Sequence, residues 1–575
     1  MKIVCLVKQI PRADAIEFDP ETKSLRREGV PLLLNPFDAA AVVHAATLRD
    51  QSGGGEVIAL TMGPPQAADA LRTCLALGAD RCIHLSDRAF AVADTLGTSR
   101  TLALAIEKVG EVELVLCGRK TLDSETWQVP PETAAFLGWP HLTSVTETKL
   151  ESGRLRAIRE TELGYDTYEL DGPAVLSLAY AHEGGGERDG TIDVWTASDL
   201  VDDLRENDKR FGQTGSPTRV LAVRDVSPER KRIETDDPTD VAARVRELLA
   251  ERALEPSQWE KPDRLGEKPG KSYDAWTFVE LVDGRPSRAS LELLGKGREL
   301  AGKLGGANVA LVLGHGVEAV AAELGRRGAE RVVLVDDERL DTYDPDLWGA
   351  ALVQVLRTQR PHVLAIPATA NGRDMGPRAA GELELGMTGD CVNLGVDRAG
   401  RLIQTKPAYG GYSVSVIMGA TTPQLATVRP RMFTELEARE ESPEIVRLEL
   451  GELPASRVRL IEHQPAAAVD LDEADLIVLL GPDAPSDYAP RAAALACTRE
   501  RVDLPRNRQV GLYGRPVAPR VLVAVGVPGD FEQLTGIVKA AVIVAVNCGP
   551  GMEQGADVVF HGEPDAVVSA LAQEG

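Results

Sequence analysis

The chain has 575 residues, a net charge of −24, and 43% hydrophobic against 26% charged residues. That length exceeds what one hydrophobic core usually serves and implies about three or four domains. The acidic balance works against nucleic acid and anionic lipid, and at 4% the aromatics are too few for a base-stacking surface. No run approaches the roughly 20 apolar residues of a membrane span. The opening residues 1–8 read as a buried strand rather than a signal peptide, so a cytoplasmic protein without direct membrane insertion is expected. The seven cysteines never form a Cys-x-x-Cys pair and the eight histidines lack ligand spacing, so no metal site is expected.

Taken in chain order, short β-branched runs at 2–7, 56–61, 81–85 and 114–117 alternate with alanine-rich amphipathic stretches. This is the pattern of β-α units around a parallel sheet. It recurs at 307–313, 331–335 and 362–366, and again at 475–480, 520–525 and 542–546, so three doubly wound segments are expected. Between the first and second, 199–254 reads as an extended arm that ends in a helix over 241–252. Residues 255–271 string together Pro, Lys, Glu and Gly with almost nothing to bury and read as a solvated linker. The expected division is therefore 1–198, an arm at 199–254, a linker at 255–272, and further domains at 273–440 and 441–575.

In the first segment a strand ends near Gly118, a loop carries Asp123 and Thr126, and a helix starts near Gln128 and Val129 with Pro130 and Pro131 in its first turn. A helix N-terminus presents unpaired N–H groups and a positive dipole end, so this loop could cradle a phosphate; by itself it reads first as an ordinary βα loop capped by Asp123 or Thr126. Its company is more specific. Lys8-Gln9-Ile10-Pro11, Asn35-Pro36-Phe37-Asp38, Thr61-Met62-Gly63-Pro64, Leu77-Gly78-Ala79-Asp80 and Asp94-Thr95 follow at intervals that resemble the beta subunit of electron-transfer flavoproteins. The resemblance implies a nucleotide at Lys8, Asn35, Asp94, Thr95, Gly118, Asp123, Thr126, Gln128 and Val129. In that family the nucleotide is AMP or, in electron-bifurcating members, a second FAD. Pro130 stands where a glycine is usual.

Further on, residues 371–378, Thr388-Gly389-Asp390-Cys391, 405–411 and 423–430 resemble the first domain of the same family's alpha subunit. Each is a glycine- or proline-marked turn where Arg373, Arg378, Arg429 or a lysine can face a partner module, or be paired structurally. Gly314-His315-Gly316 imitates a dinucleotide-binding turn, but without a supporting acidic residue it is not read as an NAD site. Thr498-Arg499, the run from Gln509, Val510 and Gly511 to Tyr513 and Gly514, the run from Gly526 and Gly529 to Glu532 and Gln533, and Asn547 with Asp557 resemble the alpha subunit's FAD-binding domain. The implied fold is α/β: two adenine-nucleotide-hydrolase-like modules and a Rossmann-like FAD domain, each a doubly wound parallel sheet. Arg499 is the candidate for stabilising reduced flavin by charge. Several family groups are changed: Gly481-Pro482-Asp483-Ala484 replaces a glycine- and arginine-rich turn, Tyr513 a threonine, Gln533 a histidine, and Cys548-Gly549 a lysine and aspartate.

What the resemblance implies is electron transfer through FAD between a dehydrogenase and a downstream quinone or iron–sulfur oxidoreductase, the last domain rotating on hinges at 435–444 and 458–464, with no acid, base or nucleophile required of the chain. Fatty-acid β-oxidation is a typical setting. Residues 181–190, however, lack the apolar anchor of the family's docking loop, which argues against an acyl-CoA dehydrogenase partner. Two alternatives stay open: a bifurcating enzyme with two FADs, and a nucleotide-binding interaction protein with a decayed flavin site.

Overall fold

The computed structural model describes every residue except 13–14, 16, 19–24, 27–28, 152–153, 183–184, 226–228, 266–272, 412, 466–470, 486–492, 502 and 573–575. The expected strands form within a residue or so of their β-branched runs, and they are apolar on both sides because helices cover both faces. The first sheet has ten strands and is parallel from Ile192–Trp195 through Arg81–Leu85, Glu56–Met62, Lys2–Leu6, Leu114–Gly118 and Ala174–Leu178 to His141–Glu151. Arg154–Glu160 and Gly164–Leu170 extend it antiparallel. A second, seven-stranded sheet repeats the order of the first: Arg331–Asp336, Asn308–Gly314, Ala275–Val279, Val363–Pro367, Gln424–Val428 and Met387–Cys391. The third sheet, six-stranded and parallel, is centred on Leu476–Leu480, Val521–Val525 and Val542–Val546.

Three strand exchanges interlock these units. The arm's Thr218–Asp225 pairs antiparallel with Ser413–Gly419 in a small four-stranded sheet of the second half. The arm then crosses to the third unit, where Ile233–Thr235 pairs in parallel with Val558–Phe560. Helix Pro238–Glu251, capped by Asp237, buries Val241, Val245 and Leu248 in the core shared with Val478, Leu480 and Val523. Each such side chain contributes about 1.5–3 kcal/mol of burial. One face of the third sheet is thus covered by a helix from the other half of the chain.

The third exchange overturns an expectation. Residues 458–464 read as a hinge, with a second hinge at 435–444, yet Val458–Pro465 pairs antiparallel with Gly164–Leu170 at the edge of the first sheet. Of the span 435–444 only Glu444 lies in a ladder, at the start of Glu444–Arg447 in the second sheet. Backbone groups engaged in a ladder are not free to swivel. Val458–Pro465 escaped recognition because it is an exposed edge strand with one buried residue, Val458, and so lacks the apolar alternation of a core strand.

The described part of the expected solvated linker, 255–265, is exposed but tethered. Ser257 bonds Thr434 through its N–H at 2.6 Å and its hydroxyl at 2.5 Å, Trp259 Nε1 donates to the Glu437 carbonyl at 2.8 Å, and Lys261 pairs with Glu330 at 2.8 Å.

Candidate functional site

Lys8, Asn35, Gly118 and the loop after it converge at the C-terminal edge of the first parallel sheet, the edge where open α/β folds bind ligands. Asp38 gathers them: its carboxylate accepts from the N–H of Gly118 at 3.0 Å and of Lys8 at 2.9 Å. Gly118 has no room for a side chain there, since a Cβ would sit 2.4 Å from the Cβ of Phe37. Burial pushes the Asp38 carboxyl up to about 7 despite these bonds. Lys8 Nζ reaches Asp123 at 2.7 Å, and Asn35 Nδ2 donates to the Lys120 carbonyl at 3.0 Å while its buried Oδ1 has no partner among the described residues. Helix Val129–Leu137 begins where expected, with Gln128 at its cap. Pro130 and Pro131 lack N–H groups, however, so this helix start offers fewer donors than the sequence reading assigned to it.

Other members of the expected first-half set are tied to one another or to the arm. Thr95 Oγ1 and Gln128 Nε2 donate to Glu132 Oε1 at 3.2 and 3.1 Å, and Ser99 to Glu132 Oε2 at 3.1 Å. Burial and the nearby Asp94 push this carboxyl far above its ordinary range. Asp94 caps helix Thr95–Val109 through the Gly97 N–H at 3.0 Å, and its second oxygen holds the N–H and hydroxyl of Thr218 at 2.9 and 2.7 Å. Val129 accepts a hydrogen bond from Ser99 at 3.4 Å. Thr126 presents its carbonyl to Gly389, where a Cβ would come within 2.2 Å.

The four second-half motifs converge on this same loop. Glu125 accepts from the Gly410 N–H at 2.7 Å and pairs with Arg429 at 3.2 Å. Lys406 donates to the Ser124 carbonyl, and Gln128 bonds Met387 and Gly389, each at 3.1 Å. Asp390 holds Arg373 at 2.8 Å and Arg429 at 3.1 Å. All three arginines singled out in the sequence are therefore paired, Arg378 with Glu382 at 2.7 Å. Burial alone would raise Asp390, but Arg373 and Arg429 outweigh it and hold the carboxyl at about 2. Burial brings Lys406 down to about 8 even with Glu125 and Asp390 close by. Sequence reasoning missed Arg119, Lys120, Glu125 and Trp127, because ion pairs and ring contacts across modules leave no periodic signal. The Trp127 ring faces Arg373 at 4.4 Å and Arg119 at 5.2 Å.

In the third unit Thr498, Arg499, Gly526, Gly529, Glu532, Gln533 and Asn547 follow the C-terminal ends of parallel strands. Arg499, Gln509, Tyr513 and Gly514 line one cleft with Tyr180 and Arg119 of the first half. The Arg499 guanidinium lies 4.8 Å from the Tyr513 ring centre. Val510 is buried, Gly511 adopts φ +128°, and the fully buried Thr498 hydroxyl has no partner among the described residues. Three expected residues are engaged elsewhere. Gln533 Oε1 accepts from the N–H of Gly529 at 2.7 Å, closing its own helix start, and Asn547 exchanges two bonds with Gly562 at 2.7 and 3.0 Å. Asp557 precedes its strand, at the opposite edge of the sheet, and there holds Arg230 and Arg252 of the arm, each at 2.8 Å. At the dinucleotide-like turn, Asp336 accepts from the N–H of Gly316 at 2.8 Å and of Val317 at 3.2 Å, filling the place of a ligand phosphate with a carboxylate of the chain itself.

A model of the electron transfer flavoprotein domain matches residues 22–200 and 275–453. The caffeyl-CoA reductase-Etf complex subunit CarD of Acetobacterium woodii is 40% identical over 240 residues, 40% of this chain and 89% of that protein. The electron transfer flavoprotein subunit alpha of Clostridium acetobutylicum is 33% identical over 321 residues, 52% of this chain and 95% of that protein. The acryloyl-CoA reductase electron transfer subunit beta of Anaerotignum propionicum is 30% identical over 320 residues, 48% of this chain and 87% of that protein. Beta-type and alpha-type relatives match different parts of the chain. With two matched domains in series and the interlocked sheets described above, the chain belongs to the electron transfer flavoprotein family, a beta-type and an alpha-type subunit joined in one polypeptide.

Proposed function

We propose that the chain is an electron carrier that holds FAD in the cleft of its third unit and passes electrons between a dehydrogenase and a downstream quinone or iron–sulfur oxidoreductase. The observation that carries this reading is the cleft of Arg499, Gln509, Tyr513 and Gly514, which opens toward the first half at Tyr180. Bound FAD supplies the capacity to take up and release electrons. The chain's part is to bind, orient and tune. The buried Thr498 hydroxyl, unpartnered among the described residues, is adjacent in sequence to Arg499, and Arg499 supplies a fixed positive charge that favours the more negative, reduced state. Asp557 is left out of this set because its carboxylate serves the arm. Replacing Arg499 with Ala lowers the flavin potential at unchanged FAD content; an unchanged potential removes Arg499 from the site.

A second nucleotide, AMP or FAD, is proposed at the first-half loop, where Asn35 Oδ1, unpartnered among the described residues, and the Lys8–Asp123 pair flank residues 119–128. A bifurcating reading, with FAD in both places, is favoured by two relatives named for caffeyl-CoA and acryloyl-CoA reductase systems. Two flavins per chain, released on denaturation, would establish it; one flavin and one AMP would leave the single-flavin carrier.

A further inference from the structure

Arg499 leaves the sheet just after the strand Ala494–Cys497, where the backbone is well fixed: the Thr498 N–H donates to the Leu480 carbonyl and the Val510 N–H to the Cys497 carbonyl, each at 2.9 Å. A fixed backbone does not fix an arginine, whose long side chain keeps several rotamers and can swing its charge into water, where it is screened. In the cleft the guanidinium meets the ring of Tyr513, with 4.8 Å to the ring centre. That is within the roughly 6 Å over which a cation is drawn to an aromatic face.

Tyr513 is held more firmly than its place on a loop suggests. Residues 509–515 fold back on themselves: the Arg515 N–H donates to the Gln509 carbonyl at 2.9 Å, the Gly514 N–H to the Gly511 carbonyl at 3.2 Å, and the Leu512 N–H to the Glu532 carbonyl at 2.9 Å. Glycine is required twice in this turn. A Cβ at Gly511 would lie 2.7 Å from the Glu532 carbonyl oxygen, and one at Gly514 would lie 2.2 Å from that of Gln509. The first half clamps the turn from the other side. Arg119 Nη2 donates to the carbonyls of Gly514 at 3.0 Å and Tyr513 at 3.5 Å. Leu512 is buried in one apolar cluster with Ile10, Phe37 and Leu122 of the first half, and the half-buried Tyr513 packs against that cluster. The Tyr513 hydroxyl reaches Glu532 at 3.5 Å, the long limit of a hydrogen bond, so the ring is what the Arg499 charge rests on.

We propose that Tyr513 is a positioning residue: its ring holds the Arg499 guanidinium at one place in the cleft and so sets how strongly that charge favours reduced flavin. The inference rests on the FAD reading of this cleft and deepens it. Where the family resemblance puts Tyr513 at the position of a flavin-contacting threonine, its effect here passes through Arg499.

The test is a double-mutant cycle on the flavin potential of the purified full-length chain, with Tyr513→Leu, Tyr513→Phe, Arg499→Ala and the combined Tyr513→Leu, Arg499→Ala variant. Tyr513→Leu should lower the potential in the same direction as Arg499→Ala and by less. Tyr513→Phe keeps the ring and should stay at the unmutated value, and in the Arg499→Ala background Tyr513→Leu should add nothing. An unchanged potential in Tyr513→Leu, or a fall as large in Tyr513→Phe, overturns the role of the ring. A fall of equal size in both backgrounds makes Tyr513 a flavin contact and overturns positioning. A second measurement on the same chains does not depend on flavin and decides the matter if a variant loses it. Modification of Arg499 by phenylglyoxal, followed by peptide mass spectrometry, should run several-fold faster in Tyr513→Leu than in Tyr513→Phe or the unmutated chain. Equal rates overturn the proposal, whereas a faster rate in a chain that carries no FAD overturns the FAD reading alone.

Discussion

Between the strand that ends at Gly118 and the helix that starts at Val129 lie residues 119–128; at the matching junction of the second half, only Ala368 and Thr369 separate the strand ending at Pro367 from the helix starting at Ala370. The two junctions occupy the same place in sheets of the same strand order. The short one is closed. Thr369 caps the helix through the Gly372 N–H at 3.0 Å, and Glu162 of the first half covers the Ala370 N–H, so a carboxylate of the chain takes the place a ligand phosphate would need. The long one is held apart by the second half, through Arg429, Lys406 and Gly410 on one side and Gly389 on the other. Duplicated architecture has been divided into one closed junction and one long loop held by the second half, where the further nucleotide is proposed.

The largest effect on this contrast is expected at Asp390, whose fully buried carboxylate pairs with both Arg373 and Arg429. Asp390→Ala strips Arg373 of its carboxylate and leaves Arg429 with Glu125 alone, and should cost about 3–5 kcal/mol in denaturant unfolding. The same network sets a pH dependence. Asp390 and Asp374 are each held at about 2, below the 3.8 of a free aspartate. Their stabilisation is present above pH 4 and is lost as pH falls toward about 2. Asp390→Asn should flatten that fall, as followed by circular dichroism between pH 6 and 2.

A smaller effect is expected at Gly389, where an added Cβ would meet the Thr126 carbonyl at 2.2 Å. Gly389→Ala displaces the long loop without removing any polar group, and should cost about 1–3 kcal/mol together with a loss of bound nucleotide. If stability falls while nucleotide content is unchanged, the long junction is scaffold like the short one. The smallest effect belongs to the closed junction itself: Glu162→Gln should cost about 1 kcal/mol by weakening a helix cap and leave every cofactor in place.

Much of this contrast was legible in the sequence. The apolar runs located both junction strands, and Pro130 and Pro131 marked the helix start after the long loop. What holds the long loop open was not legible, because Glu125, Lys406 and Arg429 are charged residues in three distant segments and acquire meaning only on contact. The interlocking was hidden for a similar reason. Ile233–Thr235 and Val458–Pro465 are short or exposed edge strands, and their partners are chosen by the tertiary arrangement rather than by local pattern.

The most direct test of the account is nucleotide stoichiometry by acid extraction and chromatography, on the unmutated chain, on the Asp123→Ala, Thr126→Ala double variant, and on Glu162→Gln. The account predicts one FAD and one further nucleotide, AMP or FAD, per unmutated chain. It also predicts loss of that further nucleotide alone in the double variant and no loss in Glu162→Gln. Release of a single FAD and nothing else from the unmutated chain, with the double variant only melting slightly earlier, would contradict it.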